Sequence, residues 1–215
     1  MSTRPYNAPA SMPEALGEIY NELDHLIVWL HIQWKMYRQV FGTSKERIDL
    51  INECAGGFFR ICQDSIFDEV RLELCRLTDP AKSGRYDNLT LETLVNLIDS
   101  KKHPELAKNV TKLYDKVKKT CKSFRDWRNR RGAHRDLETS LNRHALPLPE
   151  ASRQMIEDAL KSLDALMNAI LDCFEPGTTR LFSAAHILGD GDDLIRCLEM
   201  VRTHGQEERR RMGFE

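Results

Sequence analysis

Apolar residues that recur every third or fourth position, punctuated by helix start and stop signals, constrain this chain more than any other feature. Leu16, Ile19, Tyr20, Leu23, Leu26, Ile27 and Leu30 fall on one face of a 3.6-residue helix. Ahead of them Ser11-Met12-Pro13-Glu14 has the Ser-x-x-Glu form of a capping box, with Pro near the start. The spacing predicts one helix over 12–41, broken at Gly42. Thr43-Ser44-Lys45-Glu46 reads as a second capping box, and a stripe from Ile48 to Leu77 follows, ending at Asp79-Pro80. Gly56-Gly57 sit inside that stripe, where they either permit close helix contact or weaken the helix by about 1 kcal/mol each relative to Ala.

The pattern continues in shorter pieces. Asp79 to Asn88 reads as a polar loop, and Thr90 caps a short helix carrying Leu91, Leu94, Val95 and Ile98. His103-Pro104 restarts the chain with Pro at a first helical position, followed by Leu106, Val110, Leu113, Tyr114 and Val117. Glu150 to Phe174 is strongly amphipathic, Pro176-Gly177 closes it, and a short helix is expected around 191–203. No strand alternation and no repeat of domain-building length stands out. The expected fold is all-α: an antiparallel helical bundle over 11–175, a disordered lead-in over 1–10, and a C-terminal helical extension and tail over 176–215.

Composition adds boundaries. With 215 residues, 41% hydrophobic and 30% charged, the chain buries a substantial core in the manner of an ordinary globular protein. Six cysteines are scattered without a Cys-x-x-Cys pair or zinc spacing, so they read as reduced core thiols and imply a cytoplasmic setting. The start lacks a basic region followed by an apolar run, so no secretory signal is expected. No apolar run reaches the roughly 18 residues that span a bilayer, so no membrane partner is expected.

Against a net charge of −1, one segment is anomalous. Between Lys116 and Arg135 stand Lys116, Lys118, Lys119, Lys122, Arg125, Arg128, Arg130, Arg131 and Arg135, opposed by Asp126. A patch of this kind attracts a polyanion, nucleic acid being the usual one. His134 stands within it. Arginine offers a charged planar fork matched to phosphate oxygens, and histidine exchanges protons near neutral pH. Together they suffice for RNA cleavage without a metal, by attack of a 2′-hydroxyl on the adjacent phosphorus. On a continuous helix Arg128 and His134 lie about 120° apart in azimuth and about 9 Å apart along the axis. A break near Gly132, or two-fold pairing of the segment with its copy, brings them together; a homodimer is the economical inference.

Arg128-Asn129-x-x-x-x-His134 resembles the defining motif of the HEPN superfamily (higher eukaryotes and prokaryotes nucleotide-binding), an Arg and a His across a short spacer, often with a polar residue after the Arg. Leu77-Thr78-Asp79-Pro80 and Asn88-Leu89-Thr90-Leu91 together with Arg128 to Asp136 resemble its abortive-infection AbiU-like branch, over roughly residues 15–175. The resemblance implies a dimerising helical bundle with its groove between protomers, and a metal-independent endoribonuclease serving phage defence or a toxin–antitoxin system. No histidine outside the basic segment stands at metal-ligand spacing with a second ligand type, so no metal is expected, and no cofactor either. Carried over, Arg128 would stabilise the scissile phosphate, Asn129 would orient the site or hydrogen-bond the RNA, and His134 would transfer the proton. Lys122, Arg125, Arg131 and Arg135 are assigned to phosphate contact from charge alone.

Other readings remain open on the sequence. The chain is alternatively a nucleic-acid or nucleotide-binding module without catalysis, or a scaffold that binds an antitoxin or other protein. Trp127 is core, or a platform for a base. Asp64 and Asp68 stand one turn apart, yet Asp68 with Arg71 and Glu73 with Arg76 have salt-bridge spacing, which favours a structural role. Gly189-Asp190-Gly191-Asp192-Asp193 lacks calcium-loop spacing and reads as a turn.

Overall fold

The computed structural model describes residues 7–129 and 152–213. Among these the chain forms α1 (Glu14–Phe41), α2 (Lys45–Leu77), β1 (Lys82–Ser83), β2 (Tyr86–Asp87), α3 (Leu91–Asn96), α4 (Pro104–Thr120), α5 (Lys122–Trp127), α6 (Arg153–Phe174) and α7 (Gly191–Arg211). The fold is all-α, as the apolar periodicity requires. The strands are a two-residue antiparallel hairpin with Lys82 opposite Asp87, too short to leave an alternation in sequence. No helix among the described residues is long and apolar enough to cross a membrane.

The chain divides into two compact units. The first comprises Met1–Trp29 and Arg71–Phe182. Its core gathers the stripe of α1 (Leu16, Tyr20, Leu23, Ile27), Val110 and Val117 of α4 and Ile156, Leu163, Met167 and Ile170 of α6, all buried, with α4 packed along α6. α4 and α6 run antiparallel: His103 at the start of α4 meets Phe174 at the end of α6, ring centroids 5.2 Å apart. The Tyr20 hydroxyl donates to the Met167 carbonyl at 3.4 Å inside this core.

Ser11 does not cap α1. Its hydroxyl donates to the carbonyl of Phe174 at 2.5 Å, satisfying one of the orphan acceptors at the end of α6. Arg180 ties down the chain after α6. Its guanidinium forms a bidentate pair with Asp24 of α1, Nε to Oδ1 and Nη2 to Oδ2 both at 2.7 Å. Its backbone exchanges hydrogen bonds with the Asn168 side chain at 2.6 and 3.0 Å. Asp24 is fully buried, so this pair holds a charge that has no water.

The second unit comprises Leu30–Val70 and Ser183–Glu215. Aromatic side chains fill it: Trp34 stacks on Tyr37 at 5.0 Å, and Tyr37 meets Phe67 at 5.4 Å. The second capping box is displaced by one residue. Ser44 is the cap, accepting from the Arg47 N–H at 3.4 Å, while the Thr43 hydroxyl donates back to the Arg38 carbonyl at 2.9 Å and closes α1. α2 leaves helical geometry at Ala55 (φ −163°, ψ 59°), immediately before Gly56-Gly57. A side chain at Gly57 would meet nothing within 4 Å, so these glycines weaken the helix rather than admit a neighbour. Asp64 pairs with Arg60 at 3.1 Å, in keeping with a structural role.

The Gly189–Asp193 run is more than a turn. Asp190 is the N-cap of α7, its carboxylate accepting from the backbone of Asp192 and Asp193, and the helix continues to Arg211, well past the expected end. Gln39 of α1 donates to Asp190 at 2.8 Å and to Asp192 at 2.9 Å. Arg47 donates to Asp192 at 2.6 Å. Gly191 presses against α1 so closely that a Cβ there would lie 2.8 Å from Gln39 Cβ and 3.1 Å from the Met36 carbonyl. Gly191→Ala is expected to destabilise the fold by about 1–3 kcal/mol, because backbone and not a mobile side-chain tip must move. Urea unfolding of the variant checks it; an unchanged midpoint contradicts the tight contact.

Candidate functional site

α5 begins two residues after α4 ends, with Cys121 in helical conformation between them, so the basic segment is a nearly continuous helical rod. Phe124 anchors it in the core and is fully buried. From that anchor Arg125 and Arg128, three residues apart, reach the same carboxylate. Arg125 Nη1 donates to Asp79 Oδ1 at 2.9 Å. Arg128 Nη1 donates to both Asp79 oxygens, each at 2.8 Å. Arg125 Nη2 also donates to the Thr78 carbonyl at 2.6 Å and its hydroxyl at 2.9 Å. Two cations on one anion leave this corner with a net charge of +1. The side chains of Arg128, Asp79 and Arg125 are 21%, 26% and 31% exposed, so solvent screens the cluster only partly.

The residues around Asp79 explain its position. α2 ends at Leu77, and the buried Thr78 hydroxyl donates back to the Leu74 carbonyl at 2.9 Å. Asn88 reaches across the hairpin, its side-chain amide donating to the Pro80 carbonyl at 2.8 Å and its N–H to the Ala81 carbonyl at 2.8 Å. The Ala81 N–H donates to Glu92 at 2.6 Å, and the Thr93 hydroxyl to the Asn88 carbonyl at 2.6 Å. Thr90 caps α3. The Leu-Thr-Asp-Pro and Asn-Leu-Thr-Leu segments therefore build one cross-bonded corner that presents Asp79 to the arginines.

Of the expected site residues, Arg125 and Arg128 come together on Asp79. Lys122 and Asn129 are exposed. Arg131, His134 and Arg135 lie outside the described residues. Trp127 is half-buried, not core, with the Arg71 guanidinium 3.8 Å above its ring. Sequence reasoning missed Thr78 and Asp79 as members of the site. Their signal was the Leu77-Thr78-Asp79-Pro80 segment of the family resemblance, an acid just after a helix end, with nothing to say which arginines it would meet. Among the described residues no group of three or more His, Cys, Asp or Glu side chains is placed to hold a metal.

Two thiols lie beneath the cluster. Burial pushes Cys75 up to about 11, against the pull of Arg128 and Arg125. Burial likewise pushes Cys121 up to about 12. Both thiols stay protonated in the fold when the unfolded chain ionises them. Their stabilisation is complete below pH 9 and is lost as pH rises toward 11 and 12. At about 1.4 kcal/mol per pH unit, the loss is on the order of a few kcal/mol for the pair. Urea unfolding between pH 8 and 11 is expected to show a falling midpoint; a flat profile would contradict the burial.

A family model of the HEPN type, AbiU2, matches residues 13–184, which include the Asp79 corner and all of the basic segment. No curated protein and no solved structure matches the chain. The chain belongs to the HEPN-type AbiU2 family of abortive-infection modules.

Proposed function

We propose that the protein is a metal-independent endoribonuclease acting in abortive infection, with Arg128 and His134 meeting on one phosphodiester in a groove between two copies of the chain. The observation that carries this reading is the Asp79 corner. A freely rotating arginine loses side-chain entropy on engaging a phosphate, whereas Arg128 is already held by two hydrogen bonds to a carboxylate. Asp79 is a positioning residue that fixes where positive charge stands before substrate arrives, and pre-set charge is what stabilises a phosphorane-like transition state.

In this mechanism His134 removes the proton of the 2′-hydroxyl, whose oxygen forms a bond to phosphorus as the bond to the 5′-oxygen breaks. The departing oxygen takes up a proton, leaving a 2′,3′-cyclic phosphate and a 5′-hydroxyl. Arg128 faces the charge that grows on the non-bridging oxygens, Asn129 orients the strand, and Lys122, Arg125, Arg131 and Arg135 contact neighbouring phosphates. One observation favours a second reading, an RNA-binding module that does not cut: Asp79 and Thr78 already engage both described guanidiniums.

Induced expression of the wild type beside His134→Ala separates the two. The enzyme reading expects growth arrest and fragmented RNA with the wild type and neither with the variant. Equal behaviour of both proteins excludes it.

A further inference from the structure

Two hollows flank the basic rod. One, of about 480 Å³, lies on the Arg125 side and is walled by Lys118, Lys119, Lys122 and Arg125 over Tyr114, with Glu92 among them. The other, of about 640 Å³, is walled by Lys116, Lys119, Lys122, Ser123 and Asp126, with Met155 and Asp158 of α6 at its edge. Lys119 and Lys122 belong to both, so they form the ridge between the hollows.

The partners on this ridge are uneven. Lys118 is paired with Asp115 at 2.9 Å, and elsewhere Lys45 and Lys82 have carboxylates of their own. Among the described residues Lys119 and Lys122 make no ion pair, although they stand beside further cations. In the larger hollow the Ser123 hydroxyl oxygen is buried with no hydrogen-bond partner, which a polar group avoids unless something else supplies one. Asp126, one turn further along α5, has no partner among the described residues either and can only accept.

A phosphate does not fit against that carboxylate, but a base does. We infer that the larger hollow seats a nucleobase bearing an exocyclic amine, its amine donating to Asp126 and its edge bonded to Ser123, while Lys119 and Lys122 carry the phosphates on either side. This rests on the RNA reading above and deepens it, giving the strand a path from Arg128 past Arg125 and over the ridge. Adenine, cytosine and guanine carry such an amine; uracil presents carbonyl oxygens in its place and meets the carboxylate unfavourably. The thioether of Met155 provides an apolar surface at the rim.

Binding of short single-stranded oligonucleotides to full-length His134→Ala protein, followed by fluorescence anisotropy, tests the assignment with the RNA kept intact. A U-rich strand carrying one adenine or cytosine is expected to bind about tenfold more tightly than all-U RNA. Asp126→Asn, which presents a donor as well as an acceptor, is expected to remove that preference, and Ser123→Ala to reduce it. Lys119→Ala combined with Lys122→Ala is expected to weaken all strands alike and to lower the salt slope by about 1.4, for two phosphates at about 0.7 each. Salt-dependent binding without base preference, unmoved by the lysine pair, overturns this inference and leaves the ribonuclease reading intact. No RNA binding at all overturns both.

Discussion

Arg128→Ala is expected to lower RNA cleavage by about 10²–10³-fold, with little change in substrate affinity. Removing one pre-positioned charge donor typically costs about 2.7–4 kcal/mol of transition-state stabilisation, and the effect falls on kcat when the contact strengthens only as charge develops. Asp79→Asn gives the companion result. It keeps the shape of the corner but withdraws the anion to which Arg125 and Arg128 both donate. The guanidiniums then repel each other without compensation, and Arg128 loses its fixed geometry. A misplacement of about 1 Å is enough to cost about 10²-fold, so Asp79→Asn is expected to be impaired although it touches no substrate. Single-turnover cleavage separates the two roles: a positioning residue alters the rate of the chemical step, whereas a merely structural one lowers only the fraction of folded protein. An Arg128→Ala protein that cuts at the wild-type rate contradicts the role given to this guanidinium.

Arg180→Ala is expected to lower stability by about 3–5 kcal/mol, as much as truncating a buried aromatic side chain. Asp24 is 0% exposed and both of its oxygens are bonded to Arg180. Truncating the arginine leaves a carboxylate in the core with neither water nor a counter-charge, the situation in which breaking a buried pair is most damaging. Arg180→Lys does not rescue it, because an ammonium supplies a point charge where a bidentate fork is required. The double variant Asp24→Asn with Arg180→Ala is expected to recover part of the loss, since the charge is gone. Chemical denaturation of the three proteins measures this, and an Arg180→Ala midpoint within error of the wild type contradicts the account of the pair.

The helices were legible because burial imposes their period. Leu16, Tyr20, Leu23 and Ile27 mark α1, and Ile156, Leu163, Met167 and Ile170 mark α6, whatever surrounds them. Caps were legible as a class but not in register. Ser44 and Thr43 are both competent caps, and which helix each serves is decided by chain geometry. Ser11 carried the same signal, yet its hydroxyl is drawn to the end of a helix far along the chain.

The basic segment was legible as charge, and the partners of its arginines were not. Charge alone assigns Arg125 to phosphate contact, and no count of charges shows that its guanidinium is also held by Thr78 and Asp79. Contacts between residues so far apart leave no periodic trace, so the corner emerged only once α5 was placed beside the end of α2. The same holds for Asp24 with Arg180 and for Gln39 with Asp190. The two compact units were likewise hidden, because α1 and α2 each contribute residues to both and show no linker composition at the division.

In the proposed reaction the guanidinium at 128 and the imidazole at 134 act on the same phosphodiester without a metal. The most direct measurement is incubation of purified full-length protein with single-stranded RNA in excess chelator, with the product ends identified. Fragments ending in a 2′,3′-cyclic phosphate are expected with the wild type, and none with either His134→Ala or Arg128→Ala. Intact RNA with all three proteins, or cleavage that survives in the His134→Ala protein, contradicts that reaction.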